Sequence, residues 1–448
     1  MNDTITAISS GGKINQAISI IRISGDQAFA VISKIFSGKI GKNREVTFGN
    51  IIDNFHNNTI VDEVLVAWFY GPNTFTGENT VEINCHGGVV VTNQILKLVL
   101  ANGARLALPG EFSQRSFLNG KMDLIKAQAI NDLIHAQTER QTQLALKKFS
   151  GVVSQMINSL MKDLMYLIGA IEVNIDYPEY DDVENALGSE LLLKLKAFDE
   201  KVSVILDKSQ TGRLIFEGVK VAILGQPNVG KSSILNCLLE EEKAIVTDEA
   251  GTTRDVIEAT YQIDGFLFKL IDTAGLRETT QKIEKLGIEK SLDQIAKADI
   301  VVHIQQPNAP ANQFDAKIIE TCQQLHKKRI AVINKSDLLP ANFVQEADKI
   351  YVSALTQNIT DLKNALVNAF DLNSFAESEV ISSAREIALI QQAQQNIRDA
   401  ITTLKNGLDA DLTIVDIRRA WANLADISGR ADNEDLLDEM FRNFCLGK

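Results

Sequence analysis

The sequence predicts a multi-domain chain of the α/β plus α class. It has an N-terminal mixed α/β unit, a helical region split in the sequence, and a parallel-sheet unit inserted into the split. Three observations predict this. Apolar runs at 219–224, 266–272, 300–304, 330–334 and 350–353 alternate with helical stretches, as a parallel sheet with crossover helices requires. Before them, apolar and small residues recur at three and four spacings (Leu124, Ala127, Ile130, Leu133, Ile134), and residues 376–444 read as helix again. Residues 1–118 hold short alternating runs instead. The expected boundaries are 1–118, 119–212, 213–375 and 376–448. Two separate helical domains flanking the sheet unit are the alternative.

Taken in order, 18–23 is an apolar strand carrying Arg22 near its end, and 61–69 is a second. The third, 80–85, alternates Val81, Ile83 and Cys85 with Glu82 and Asn84. His86-Gly87-Gly88 opens an apolar helix over 89–100, and Pro109-Gly110 turns the chain into a helix over 111–118. One long helix is expected over 144–175 and another over 189–209. Between them Asp176-Tyr177-Pro178-Glu179-Tyr180-Asp181-Asp182 reads as a solvated loop.

The 448 residues are 45% hydrophobic and 23% charged, ordinary for a soluble chain, and no apolar run is long enough to span a bilayer. Met1-Asn2-Asp3-Thr4 does not resemble a signal peptide. Cys85, Cys237, Cys322 and Cys445 lie far apart without metal-ligand spacing, so a reducing, cytoplasmic location is expected. The net charge of −13 argues against a basic nucleic-acid coat; any RNA contact would be confined to one face and sensitive to salt.

The stretch Gly225-Gln226-Pro227-Asn228-Val229-Gly230-Lys231-Ser232 follows the first apolar run and precedes a helix starting at Ser233. That is the setting of a phosphate-binding loop, whose glycines let backbone N–H groups turn inward around a polyphosphate. Lys231 would reach the β- and γ-phosphates and the Ser232 hydroxyl would hold Mg²⁺. Four further stations follow. In Gly251-Thr252-Thr253-Arg254-Asp255 a threonine can complete the Mg²⁺ shell. In Asp272-Thr273-Ala274-Gly275, Asp272 would hold Mg²⁺ through water and the Gly275 N–H would touch the γ-phosphate. Asn334-Lys335-Ser336-Asp337 places a carboxylate that can pair with guanine N1–H and N2–H₂. The backbone of Ser353-Ala354-Leu355 can bond guanine O6. In this order on alternating strands, they mark a GTPase domain that resembles the Ras-like superfamily.

Leu276 follows Gly275 where a glutamine would orient the attacking water, and an aliphatic side chain cannot do so. Glu278, Glu284 and Glu289 are nearby acids, each equally readable as a solvated helix charge. Arg254 and Arg277 are candidate arginine fingers. Asn228 is readable as a monovalent-cation ligand through its amide oxygen or as a plain loop asparagine tolerating strained φ/ψ.

Several stretches outside these stations are similar to the MnmE (TrmE) family of tRNA-modification GTPases over nearly the full length. They are Gly77-Glu78-Asn79, His86-Gly87-Gly88, Pro109-Gly110-Glu111-Phe112, Phe117-Leu118-Asn119-Gly120-Lys121-Met122-Asp123-Leu124 and the terminal Phe444-Cys445-Leu446-Gly447-Lys448. The resemblance implies an N-terminal tetrahydrofolate-binding and dimerisation domain, a split helical domain and an inserted GTPase domain. It implies a homodimer that pairs with an FAD-containing MnmG-like subunit in a heterotetramer. With GTP, Mg²⁺, K⁺ and a 5-formyl- or methylene-tetrahydrofolate, this assembly adds aminomethyl or carboxymethylaminomethyl groups to the wobble uridine of certain tRNAs. By position it implies folate contacts from Arg22, Glu82, Lys121 and Lys448, whose bland alternative is surface ion pairs. It implies K⁺ ligands from Asn228, Thr247, Glu249 and Thr252, Mg²⁺ ligands Ser232 and Thr253, Glu284 as the water-orienting group beside Lys231 and Asp272, and a role for Cys445 in tRNA modification. The nucleotide contacts it implies are Gly225, Asn228, Val229, Gly230, Lys231, Ser232, Ser233, Thr247, Thr252, Thr253, Asp272, Gly275, Asn334, Lys335, Asp337, Ser353 and Ala354. An Era-like ribosome-assembly GTPase and a GTP-binding scaffold with little hydrolysis are the competing readings. The acidic end (Asp432, Glu434, Asp435, Asp438, Glu439) speaks against the first, and the retained Lys231, Asp272 and Glu284 against the second.

Overall fold

The computed structural model describes residues 3–10, 14–176, 184–240, 260–271, 293–307, 310, 312–340, 343–370, 381–430, 440–441, 444 and 447. The chain divides into two compact units. One gathers Met1–Ile134, Lys148–Met161 and Trp421–Lys448; the other gathers His135–Lys147 and Lys162–Ala420.

The first unit holds a sheet of β1 (Ile5–Ser10), β2 (Ile18–Ser24), β3 (Glu45–Asp53), β4 (Thr59–Phe69), β5 (Thr80–His86) and β6 (Arg105–Leu106), in the order β3-β4-β5-β2-β1-β6. All pairs are antiparallel except β1 with β6. Ile21, Ile23, Val64, Val66, Trp68, Val81, Ile83 and Cys85 face one core, closed by helices Ala28–Ser33 and Val89–Ala101. Ile5, Ala7, Ala107 and Phe112 form a smaller core on helix Glu111–Leu118. A third cluster, Leu124, Ala127, Phe441 and Phe444, ties the C-terminal residues to this unit. Strands β1, β3 and β6 are absent from the expected strands. Their sequences mix Thr, Ser, Gly, Asn and charged residues among few apolar ones, and β6 has only two residues.

The second unit is built on β7 (Val219–Gly225), β8 (Thr260–Ile263), β9 (Phe266–Leu270), β10 (Ile300–Gln305), β11 (Lys328–Ile333) and β12 (Ile350–Tyr351), in the order β12-β11-β10-β7-β9-β8. The sheet is parallel as expected except at its edge, where β8 runs antiparallel to β9. That hairpin turns at Asp264-Gly265, both with positive φ (50° and 80°), the two-residue turn whose twist matches paired strands. Asp-Gly is a hairpin signal that the sequence itself carries.

Two helix boundaries differ from expectation. The helix expected over 144–175 is two helices, Glu139–Phe149 and Val152–Asp176, divided at Gly151 with φ 89°. The helix expected over 189–209 runs Glu184–Glu217 and stops at Gly218 with φ 86°. Residues 177–182 of the expected acidic loop lie outside the described residues.

Candidate functional site: a nucleotide cradle and a docked tail

The phosphate loop leaves β7 through Gly225 (φ 154°), where a Cβ would overlap the Ile304 carbonyl oxygen of β10. Gly230 has φ 94°, and a Cβ there would run into the Asn334 amide nitrogen. Neither position accepts a side chain, so the glycines serve conformation and close approach together. Val229 is buried in the main core of the second unit and pins the loop from below. Asn228 has φ 62° and an exposed side chain. Its conformation satisfies the bland loop-asparagine reading while leaving the amide pointing away from the core.

Lys231 opens helix Lys231–Glu240, with Ser232 and Ser233 in its first turn. Its Nζ donates to the carbonyls of Gly225 (2.9 Å) and Gln226 (2.8 Å), and burial pushes its pKa down. A half-buried ammonium satisfied by carbonyls, at a helix N-terminus, is a ready partner for a polyphosphate.

The station expected to meet guanine joins this cradle through Asn334, which is 2% exposed. Its Nδ2 donates to the Val229 carbonyl (2.9 Å), and its Oδ1 accepts from the Ala354 N–H (3.2 Å). Asn334 was expected to touch nucleotide; both ends of its amide are instead engaged with protein backbone. It couples the phosphate loop to the 353–355 turn. Lys335, with φ 60°, extends its Nζ to the Asn228 carbonyl (2.9 Å) and to Gln306 Oε1 (3.1 Å), so it also braces the loop. Gln306 had no signal in the sequence. Asp337, in a short 3₁₀ turn, is exposed and accepts from the buried Ser353 hydroxyl through Oδ1 (2.5 Å). That bond aims the carboxylate and leaves Oδ2 for a donor pair such as the guanine edge.

In the first unit, Arg22 on β2 and Glu82 on β5 are direct cross-strand neighbours. Two guanidinium nitrogens lie 2.9 and 2.7 Å from Glu82 Oε1, with side-chain exposures of 18% and 23%. This is the ion pair that the sequence left open as the bland alternative. Its surroundings are less bland. The guanidinium sits 5.7 Å from the Phe112 ring and 5.9 Å from the Phe75 ring. The Gly447 carbonyl accepts from Ser9 Oγ (3.1 Å) and Arg22 Nη1 (3.4 Å). Gly447 therefore docks beside the Arg22–Glu82 pair. Lys121 lines a cavity of about 330 Å³ with Phe75, Met122, Lys126 and Phe149. Phe75 thus borders both places.

The flanking motifs have structural reasons. Gly110 (φ 71°) has no room for a Cβ against the Phe441 carbonyl. Glu111 is 2% exposed and accepts from Arg105, Arg115 and the Leu108 N–H, which together hold its pKa below the usual range against burial that would raise it. Arg115, also 2% exposed, reaches on to Glu78 and Asp3. Thr247, Glu249, Thr252, Thr253, Asp272, Gly275, Leu276, Glu284, Cys445 and Lys448, with the other candidates Arg254, Arg277, Glu278 and Glu289, lie outside the described residues.

Comparison with known proteins gives the following. Family models for the GTP-binding protein TrmE N-terminus and for the MnmE helical domain match residues 4–121 and 124–445. The tRNA modification GTPase MnmE of Mycoplasma mobile is 53% identical over 448 residues, covering 100% of both chains. That of Mycoplasmopsis pulmonis is 50% identical with the same coverage. That of Lactiplantibacillus plantarum is 42% identical over 465 residues, 100% of this chain and 98% of that one. Among solved structures, the FeoB G-domain from Methanococcus jannaschii aligns with 34% of this chain and 96% of its own, at 25% identity and a TM-score of 0.25.

Proposed function

The chain belongs to the MnmE (TrmE) family of tRNA modification GTPases, and from that premise we propose that it is a K⁺-activated GTPase acting with an FAD-containing MnmG-like partner on the wobble uridine of certain tRNAs. The product is an aminomethyl or carboxymethylaminomethyl group whose carbon comes from a tetrahydrofolate derivative. The observation that carries this beyond a generic nucleotide site is the docked tail. Gly447 lies on Ser9 and Arg22, beside Glu82 and two phenylalanine rings, where a flat heterocycle with an anionic tail finds stacking, a cation and a carboxylate. Lys121 and Lys448 complete the folate contacts in this reading, and Cys445 enters the modification step. A ribosome-assembly role of the Era-like kind loses its ground, because the family match runs through the flanking segments as well.

In the nucleotide unit, Lys231 and the loop N–H groups hold the β- and γ-phosphates, and Asp337 selects guanine. Ser232 and Thr253 hold Mg²⁺, with Asp272 acting through water. The Asn228 amide, exposed at its left-handed kink, suits a monovalent cation; oxygens of Thr247, Glu249 and Thr252 complete that shell. K⁺ bound there supplies the positive charge an arginine finger gives elsewhere. Glu284 orients the attacking water in place of the glutamine that Leu276 replaces. The domains follow the boundaries 1–118, 119–212, 213–375 and 376–448. A homodimer forms through the N-terminal domain, for which the exposed apolar side chains Val46, Phe48 and Leu65 on one face of β3 and β4 give a contact surface. No helix among the described residues is long and apolar enough to cross a membrane, and we place the protein in the cytoplasm.

The test has two arms. GTP turnover in KCl should greatly exceed turnover in NaCl, and equal rates would remove the K⁺ assignment. Wobble uridines from a strain lacking the protein should lose the modification by mass spectrometry; unchanged nucleosides would end the tRNA reading.

A further inference from the structure

Asp315 sits in the first turn of helix Gln313–Gln324, 5% exposed, against the apolar face made by Ala222, Leu224, Val301, Ile318 and Cys322. The imidazole of His303, fully buried on β10, lies on that same face. An acid and an imidazole in this setting cost stability unless every polar atom is engaged. They are engaged in one line. His303 Nε2 lies 2.8 Å from Asp315 Oδ1, and Arg329 Nη1 approaches His303 Nδ1 at 3.4 Å. A guanidinium only donates, so Nδ1 is the acceptor and Nε2 carries the hydrogen given to Asp315. Burial holds the His303 pKa below the usual histidine range, which favours this neutral form. The other carboxylate oxygen, Oδ2, accepts from Gln226 Nε2 at 2.5 Å. Gln226 is the second residue of the phosphate loop.

Gln226 is held at three points. Pro227 restricts its backbone to the extended region. Its carbonyl accepts from Lys231, and its side chain donates to Asp315. When Lys231 turns to a phosphate, the carbonyl loses that bond and the side-chain bond remains. We propose that Asp315 and His303 are positioning residues for the phosphate loop, fixing its first turn through Gln226 in the conformation that receives the β- and γ-phosphates. The alternative is a self-satisfied buried cluster with no bearing on the ligand. The proposal rests on the guanine-nucleotide reading of the loop.

The experiment measures GDP affinity by titration calorimetry on the full-length protein, with melting temperature recorded for each variant. Gln226→Leu keeps the side-chain bulk and removes the donor at a position outside the core. It should weaken GDP binding by about tenfold, the loss of a hydrogen bond to a charged group. Gln226→Glu sets two carboxylates in contact and should weaken it further. Adding Asp315→Asn to Gln226→Glu rebuilds the line, with the new amide accepting from His303 and donating to the new carboxylate. Affinity should return to within about twofold of wild type. A Gln226→Leu protein that binds GDP as tightly as wild type overturns the positioning role, whatever its melting temperature. So does a folded double variant that stays as weak as Gln226→Glu. A wild-type protein that binds no guanine nucleotide overturns the reading of the loop itself, and the positioning role with it.

Discussion

Replacing Asn334 with alanine probes the joint between the two ends of the nucleotide cradle. The side chain gives its Nδ2 to the Val229 carbonyl at 2.9 Å and takes the Ala354 N–H at 3.2 Å, from a position that is 2% exposed. Truncation leaves one buried acceptor and one part-buried donor without a partner, at about 1–3 kcal/mol each. The donor is part-buried, and the lower limit for each group sets the floor. The sum is about 2 kcal/mol, or about thirtyfold in affinity if the cradle must close on its ligand. Calorimetric titration with GDP measures this, and urea unfolding with and without GDP separates loss of the fold from loss of the joint. Asn334→Asp is the diagnostic companion. It keeps the acceptor for Ala354 and turns a second acceptor towards the Val229 carbonyl, so it should bind GDP no better than the alanine variant. An alanine variant with wild-type affinity and an unchanged unfolding midpoint would refute the joint. An aspartate variant as good as wild type would refute the hydrogen-bond assignment.

Asp337→Asn should lower GDP affinity by about two to four decades and shift preference towards xanthosine diphosphate, because the amide donates where guanine needs an acceptor; competition binding reads the exchange. His303 gives a pH prediction. Its folded pKa is below the unfolded value near 6.5, so its contribution is fully present above about pH 6.5 and is lost as pH falls through the lower folded value. Denaturant midpoints should therefore fall on acidification below pH 6.5, and His303→Gln should flatten that limb, with Asp315 and Arg329 the charged groups facing the ring. Gly447→Val forces a β-branched residue into φ 90°, at about 1–2 kcal/mol, and drives its Cβ towards the Ile8 carbonyl and the Ser9 Cα. The tail should leave Arg22, with wobble modification largely lost and GTP turnover retained; modification at the wild-type level would detach the tail from that chemistry.

The legibility of this chain follows contact range. The phosphate loop and Asn334-Lys335-Ser336-Asp337 are readable because each sits within a few residues of a strand end and is a contiguous run, although the bonds that join them span more than a hundred residues. The long helices were readable in kind and not in extent, since Gly151 and Gly218 end them through positive φ, a property that a glycine permits without announcing. Strands β1 and β3 were missed because their pairing partners, not their own composition, make them strands. The same holds within the candidate site. The resemblance implies Arg22 and Glu82 as two separate folate contacts, and only the register of β2 on β5 makes them partners of each other. In the proposed folate reading a ligand carboxylate must then compete with Glu82 for the guanidinium, a cost that no motif displays.

The nucleotide motif is built on the same kind of long-range partnership. Asn334 and Lys335 read as ligand contacts when taken alone, and in the structure their polar atoms go to Val229, Ala354, Asn228 and Gln306. The partners on the phosphate loop lie 105 and 107 residues away. Gln226, which reads as a variable position of the loop, meets Asp315 at a separation of 89. The loop is therefore held from both sides by residues that need never touch the nucleotide. A substitution at any of them should raise the dissociation constant while leaving guanine selection intact, since in the proposed reading selection rests on Asp337, whose carboxylate the Ser353 hydroxyl aims. Loss of guanine preference in Gln226→Leu would contradict that division of labour.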